Sequence, residues 1–485
     1  MNTFLKTYGQ FIFAYLFLIY FIQTILNATE LGKDIVFAVS LTLITYIQSV
    51  GEFFYFYKKK GKPRLQDWMR VVLFMMLSIN FMKLTNNPNK DTLIDFSLKN
   101  ISLHDATFSM VVVIFAFIAL DLAYIIANTI YKVKFSKIIY KIKRKNWIFI
   151  ILIFSTFIQG YLLVLGFSGY GSDLKNTTGI ISLINLISGI LNPFALIVSA
   201  YILYIEDSKS TVYKNIFFII LPIQVLIGLL SGMKENTIEP LLYVGIVFLI
   251  AGKKIPKKVI IPVMLFFIVL YPFMNAYRDV VNDPYLNTGN HALNMALAVK
   301  NVLDKSSSLS TTLDTSTKDY GARGAMFPYL QYAITIEPQW DYYKHMNRYS
   351  FAAISWLIPR ALWAGKPRAD IGMILSEKIV GGKTMSAVTP TNVGWAYLEG
   401  GLFFVVVIFL MLGIMFETID RIGYKSSYRN PISLIFYITF FHYAIKPEWD
   451  PYFLFSSIPQ MFIMYFILLK LVGIRKIKYQ QEAYT

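Results

Sequence analysis

The chain is 485 residues long, 56% hydrophobic and only 15% charged, with 46 Lys and Arg against 28 Asp and Glu and a formal net charge of +18. Its apolar runs are longer than a water-soluble core helix needs, and its basic residues stand in short clusters between them, so the excess charge reads as membrane topology and not as a nucleic-acid footprint. The absence of cysteine excludes disulfides, thiolate metal sites and cysteine nucleophiles.

In chain order the pattern predicts an all-α polytopic membrane protein with spans at roughly 9–26, 35–57, 67–83, 106–128, 147–167, 179–205, 215–231, 237–252, 259–276, 392–416, 430–445 and 452–473. The first apolar run lacks a small-residue cleavage site and is followed at once by another, so it is read as a span and not a cleaved signal. Between the spans, KKKGKPR (58–64), KVKFSKIIYKIKRK (132–145), KKIPKK (253–258), RIGYKSSYR (421–429) and RKIK (475–478) hold most of the short-loop positive charge. With twelve spans and both termini cytoplasmic, all five clusters fall on the same side.

That arrangement divides the chain into an N-terminal bundle of about nine helices (1–276), an extracytoplasmic loop (277–391) and C-terminal spans with a cytoplasmic tail (392–485). Within the loop, 292–303 has helical apolar spacing and 306–317 reads as a flexible connector. Phe351–Trp363 is too short to cross a bilayer, so it is expected to be a re-entrant or interfacial helix ending near Pro359.

The loop concentrates the chemistry. Arg360 is flanked by Trp356 and Trp363, Pro359 and Pro367 stiffen its surroundings, and Arg278, Arg323, Lys344, Arg348, Lys366 and Arg368 lie in the same segment. Guanidinium forks bind phosphate oxygens bidentately, so this set suits an anionic head group; it equally suits anchoring to anionic lipid. The aromatics Tyr320, Phe327, Tyr329, Tyr332, Trp340, Tyr342, Tyr343 and Tyr349 fit sugar stacking, or an ordinary interfacial belt. Asp121, Glu52 and His442 lie within spans; Asp121 and Glu52 fall toward the cytoplasmic half and are given packing roles. The KPEWDP turn (446–451) is either a second wall of an outer site or a charged turn between spans. No Asp-x-Asp pair or histidine cluster in the loop has convincing ligand spacing, so no metal or other cofactor is expected.

IPRALWAGKP (358–367), followed by NVGWAYLEGGLFF (392–404), resembles the Pro-Arg-x-x-Trp-x-x-Lys-Pro stretch and Gly-rich, Tyr-containing helix start of bacterial oligosaccharide repeat-unit polymerases, the Wzy-type O-antigen polymerases. LSGMKENTIEPLLYVG (230–245) is similar to another recurring piece of that family, with Lys234 where the family has arginine. The spacing of Arg278 and Gly289 is similar to one found in some polymerase loops.

This resemblance implies a GT-C-like glycosyltransferase in the bacterial inner membrane. It would join repeat units carried on undecaprenyl pyrophosphate at the outer face and share its pathway with a flippase and a chain-length regulator. Arg360, Arg278 and Arg323 would then stabilise the departing diphosphate, supported by Lys366, Arg368 and Lys234. Trp356, Trp363 and Tyr397 would line the substrate site. Glu399 is the first candidate for general base, with structural pairing to a loop arginine as the alternative reading, and His345 and His291 follow. The rival functions are an O-antigen ligase, a lipid-linked oligosaccharide transporter and a membrane scaffold.

Overall fold

The computed structural model describes residues 33–81, 103–130, 138–170, 179–253, 273–305, 326–340, 371–380, 388–427 and 430–478, apart from 275, 282, 284 and 290. These residues are mostly helical. The helices are α1 (Lys33–Tyr46), α2 (Glu52–Lys60), α3 (Leu65–Leu73), α4 (Leu103–Ile130), α5 (Lys145–Val164), α6 (Gly179–Tyr204), α7 (Thr211–Leu230), α8 (Lys234–Ile250), α9 (His291–Lys305), α10 (Phe327–Ile336), α11 (Ile371–Val380), α12 (Thr391–Leu398), α13 (Gly401–Ser427), α14 (Pro431–Ile445) and α15 (Pro451–Val472). Among the described residues five are long and apolar enough to cross a membrane: Ala106–Ile130, Lys145–Val164, Leu183–Tyr204, Thr211–Leu230 and Gly401–Gly423. The predicted span at 9–26 and most of that at 259–276 lie outside the described residues.

The chain groups into two compact units that interleave along the sequence: 1–132, 321–420 and 440–457 in the first, 133–320, 421–439 and 458–485 in the second.

In the first unit, the apolar runs predicted at 35–57 and 67–83 are helices interrupted by π-turns at Ile47–Gly51 and Phe74–Ser78. Such a turn carries an extra residue and rotates the helical face beyond it. Here Glu52 N–H reaches back five residues to Ile47 carbonyl, and the Glu52 carboxylate meets two buried arginines. Arg70 donates from Nη1 to Glu52 Oε2 at 2.5 Å, and from Nη2 to Asp121 Oδ1 at 2.6 Å and Phe117 carbonyl at 3.1 Å. Arg64 donates from Nη2 to Glu52 Oε2 at 2.7 Å and Asp67 Oδ1 at 2.6 Å, and its guanidinium lies 3.5 Å from the Phe56 ring centre. Buried charge survives only when paired and hydrogen-bonded, so this cluster ties α2, α3 and α4 together. Glu52 and Asp121 thus have the packing role expected of them.

The run predicted as one span at 392–416 is two helices. α12 ends at Leu398, and Gly400 (φ 144) and Gly401 (φ 75) turn the chain into α13 through backbone angles open to glycine. α12 packs with α10 and α11 in an apolar cluster of Ala333, Trp340, Ile371, Leu375, Trp395 and Leu398. The KPEWDP turn closes against this region: Asn392 N–H donates to Pro447 carbonyl at 2.7 Å, and Thr389 Oγ1 to Glu448 carbonyl at 2.5 Å.

The second unit contains the departure from an all-α fold. Strands β1 (Ile138–Ile142) and β2 (Ile474–Lys478) pair antiparallel, Ile138 opposite Lys478 and Ile142 opposite Ile474. This pairing joins two of the basic clusters, 132–145 and 475–478. In the first unit, Lys62 and Asp420, 2.7 Å apart, bring the KKKGKPR cluster to the cytoplasmic-side end expected of α13. α5, α6, α7 and α8 pack around one another and line a cavity.

Candidate functional site

Two turns meet beside that cavity, contributing Ser168 and Ser231 to its wall. After α5 the chain turns through Ser168 to Tyr170, whose N–H donates to Ser231 carbonyl at 2.7 Å. After α7 it turns at Gly232 (φ 67), where an added Cβ would land 2.1 Å from the Tyr277 ring, so no other residue fits without displacing that ring. Arg278 reaches the same turn: Nε lies 3.4 Å from Gly232 carbonyl, and the guanidinium carbon is 4.8 Å from the Tyr170 ring centre. Tyr277, Val280, Met274, Met295 and Ala298 form an apolar cluster against which Tyr170 packs. Lys234 is the first residue of α8, two positions beyond Gly232.

The Tyr277 hydroxyl is hydrogen-bonded to His291 Nδ1. Burial holds the phenol in its neutral form, its pKa pushed up to about 12, and moves the His291 imidazole below its ordinary value. At His291 the unfolded chain therefore binds more protons than the folded one. The contribution of His291 to stability is full above pH ~6.5 and is lost as pH falls through the lowered folded value. Melting curves of the solubilised protein should show a fall in stability between neutral and mildly acidic pH that His291→Gln flattens. An unchanged acid limb in the variant would remove His291 as its source.

Gly289 has a local explanation. It sits at φ 71 with its N–H on Asn287 Oδ1 at 2.9 Å, in the turn that leads into α9.

The cavity of about 250 Å³ is lined by Gln159 of α5, Asn185, Ser188 and Asn192 of α6, Gln224 of α7, and Asn236, Glu239 and Tyr243 of α8, with Leu, Ile and Pro between them. Carboxamides within apolar helices have to satisfy one another. Asn192 Nδ2 donates to Gln159 Oε1 at 2.6 Å, and Gln224 Nε2 to Thr156 Oγ1 at 2.9 Å and Asn192 Oδ1 at 2.5 Å. Gln224 Oε1 is buried with no hydrogen-bond partner. Pro193, Pro222 and Pro240 interrupt α6, α7 and α8, and each removes an amide that would have bonded the carbonyl four residues earlier. For Pro240 that carbonyl is Asn236, packed directly against Gly228.

The structure brings Arg278, His291 and the start of α8 together in the second unit. Glu399 and Tyr397 belong to the first unit. Glu399 follows α12 at 2% exposure, and Tyr397 makes an edge contact with Phe108 at 6.4 Å. Arg323, His345, Trp356, Arg360, Trp363, Lys366 and Arg368 lie outside the described residues, as does the predicted segment at 351–363. Sequence reasoning missed Gln159, Asn192 and Gln224. The signal was present as a carboxamide near the middle of each of three apolar runs, two of them within two residues of a proline.

No curated protein and no solved structure matches the chain. A family described as a domain of unknown function, DUF8712, matches residues 8–479, and the chain belongs to that family.

Proposed function

We propose that the chain is a membrane glycosyltransferase that extends a glycan carried on a lipid diphosphate, with about twelve spans, both termini cytoplasmic and its catalytic face outside a bacterial inner membrane. The observation that carries this reading is the position of Arg278: its guanidinium lies over the Tyr170 ring and its Nε is hydrogen-bonded to Gly232 carbonyl, the residue after Ser231 of the cavity wall. A planar cation held at this turn suits a diphosphate, whose charge grows as the anomeric bond breaks. The acceptor hydroxyl attacks the anomeric carbon, its proton passes to a carboxylate or imidazole base, and the lipid diphosphate leaves. By sequence, Glu399 is the preferred base, and Arg323, Arg360, Lys366 and Arg368 are further cationic candidates.

A transporter of lipid-linked oligosaccharide is the second reading. It is favoured by the three proline-interrupted helices around buried polar groups, a feature of alternating-access carriers.

The glycan profile of a deletion strain separates the readings. Loss of a polymerase leaves single repeat units attached, loss of a ligase leaves none, and loss of a flippase traps units inside. In the complemented strain, Arg278→Ala is expected to reduce chain extension by about 100-fold or more at unchanged membrane abundance, with partial recovery in Arg278→Lys. Full-length polymer in Arg278→Ala would take Arg278 out of the site.

A further inference from the structure

We propose that the ribbon formed by β1 and β2 binds the headgroup of an acidic phospholipid. The ribbon has two unlike faces, because residues two apart on a strand share a face with each other and with the residues opposite them in register. One face carries Ile142, which is buried. β1 is anchored to the end of α6, where the Tyr201 hydroxyl donates to Tyr140 carbonyl at 3.0 Å and Ile142 N–H donates to Glu206 Oε1 at 2.8 Å.

The other face is cationic. Lys141 and Arg475 stand directly opposite each other, and both are exposed. Lys143, also exposed, continues that face: its N–H donates to Gly473 carbonyl at 2.9 Å, and a Cβ on Gly473 would stand 3.5 Å from Lys143 Cβ. Like charges placed opposite each other weaken a strand pair, and a two-stranded ribbon is marginal by itself. No acid stands in either strand. The acids of segments 138–145, 204–214 and 466–478 are Glu206 and Asp207. Glu206 is paired with Lys145 Nζ at 2.7 Å, and Asp207 belongs to the turn between α6 and α7. A phosphate on the cationic face removes the repulsion that the register imposes.

The neighbouring surface makes that phosphate a lipid's. Arg144, just past β1, donates from Nη1 to Leu471 carbonyl in the last turn of α15 at 3.3 Å, and Lys470 Nζ lies 4.8 Å from the Phe466 ring centre. Leu471 and Phe466 of α15 and Trp147 in the first turn of α5 are exposed apolar side chains. Cations that border exposed apolar helix surface suit a headgroup with acyl chains beside it, whereas a soluble anion or a nucleic acid would leave that surface bare.

Lipid binding needs no turnover, so the proposal stands apart from the glycosyltransferase reading. Native mass spectrometry of the full-length protein in neutral detergent, titrated with phosphatidylglycerol or phosphatidylcholine, tests it. Phosphatidylglycerol should bind about tenfold more tightly or better. Each cation at a headgroup surface is worth about fivefold in affinity, so Lys141→Gln, Arg475→Gln should weaken phosphatidylglycerol about 30-fold. The same double variant relieves the repulsion, and its melting temperature without lipid should equal or exceed that of the wild type. Lys209→Gln, Lys214→Gln removes as much exposed charge from outside the ribbon and should weaken binding by about threefold at most. The comparison of the two lipids on the wild type decides the matter if the ribbon variant does not fold. The proposal is overturned if the two lipids bind equally, if the ribbon variant keeps wild-type affinity, or if the control variant loses as much as the ribbon variant. Displacement of the lipid by equal concentrations of glycerol 3-phosphate or a short RNA would overturn it as well.

Discussion

Arg70→Ala is expected to destabilise the protein by about 3–5 kcal/mol, enough to abolish recovery of a monodisperse species from detergent. Arg70 is fully buried and its two terminal nitrogens hold Glu52 and Asp121. Removing it leaves the Asp121 carboxylate without that ion pair and Glu52 with Arg64 alone, among apolar helices where an unpaired charge has no water to turn to. The loss is the cost of stranded charge and not the worth of the pair. Neutralising Arg70 together with its two partners in Arg70→Met, Glu52→Gln, Asp121→Asn, which leaves Arg64 paired with Asp67, should therefore recover much of the stability that the single change loses. Fluorescence-detected size-exclusion after heating measures both; equal melting temperatures for wild type and Arg70→Ala would show that the cluster does not hold the unit together.

The second large effect is expected at Gly228. A Cβ there would stand 2.3 Å from Asn236 carbonyl oxygen and 2.7 Å from Thr237 Cα, both backbone atoms that no rotamer change can move. Pro240 is the reason the carbonyl is there, since the amide that would have bonded it within α8 is missing. Gly228→Ala must push α7 and α8 apart and is expected to cost about 1–3 kcal/mol. Gly245, in the same α8, has nothing within 4 Å of its Cβ direction, so Gly245→Ala should instead stabilise by about 0.5–1 kcal/mol. Melting temperatures that move the same way in the two variants would refute this account of how the helices meet.

The apolar runs made most of the described helices legible, because length and hydropathy alone mark a segment that can cross a bilayer. α4, α5, α6, α7 and α14 stand within a few residues of the runs that announced them. The breaks were harder. The π-turns at 47–51 and 74–78 leave the apolar pattern almost unchanged, and their sequences carry no proline. The end of α12 was written in the pair Gly400–Gly401, yet the apolar residues on either side made 392–416 look continuous. The strands were hidden because a basic segment reads as a loop when its partner, more than 300 residues away, is not known. The same blindness to partners applied to the site. Cationic and aromatic residues drew attention to the outer loop, whereas Gln159, Asn192 and Gln224 are single polar residues in separate spans, and only packing shows that they face one cavity.

Transfer of a glycan from a lipid diphosphate can be followed in a reconstituted system. Purified protein in liposomes, given a lipid-diphosphate-linked repeat unit on the face that carries Arg278, should yield a ladder of longer glycans and one equivalent of free lipid diphosphate for each new linkage. Mass spectrometry that found every glycan still one unit long, with lipid-linked units carried intact to the opposite leaflet, would contradict it and make the chain a carrier.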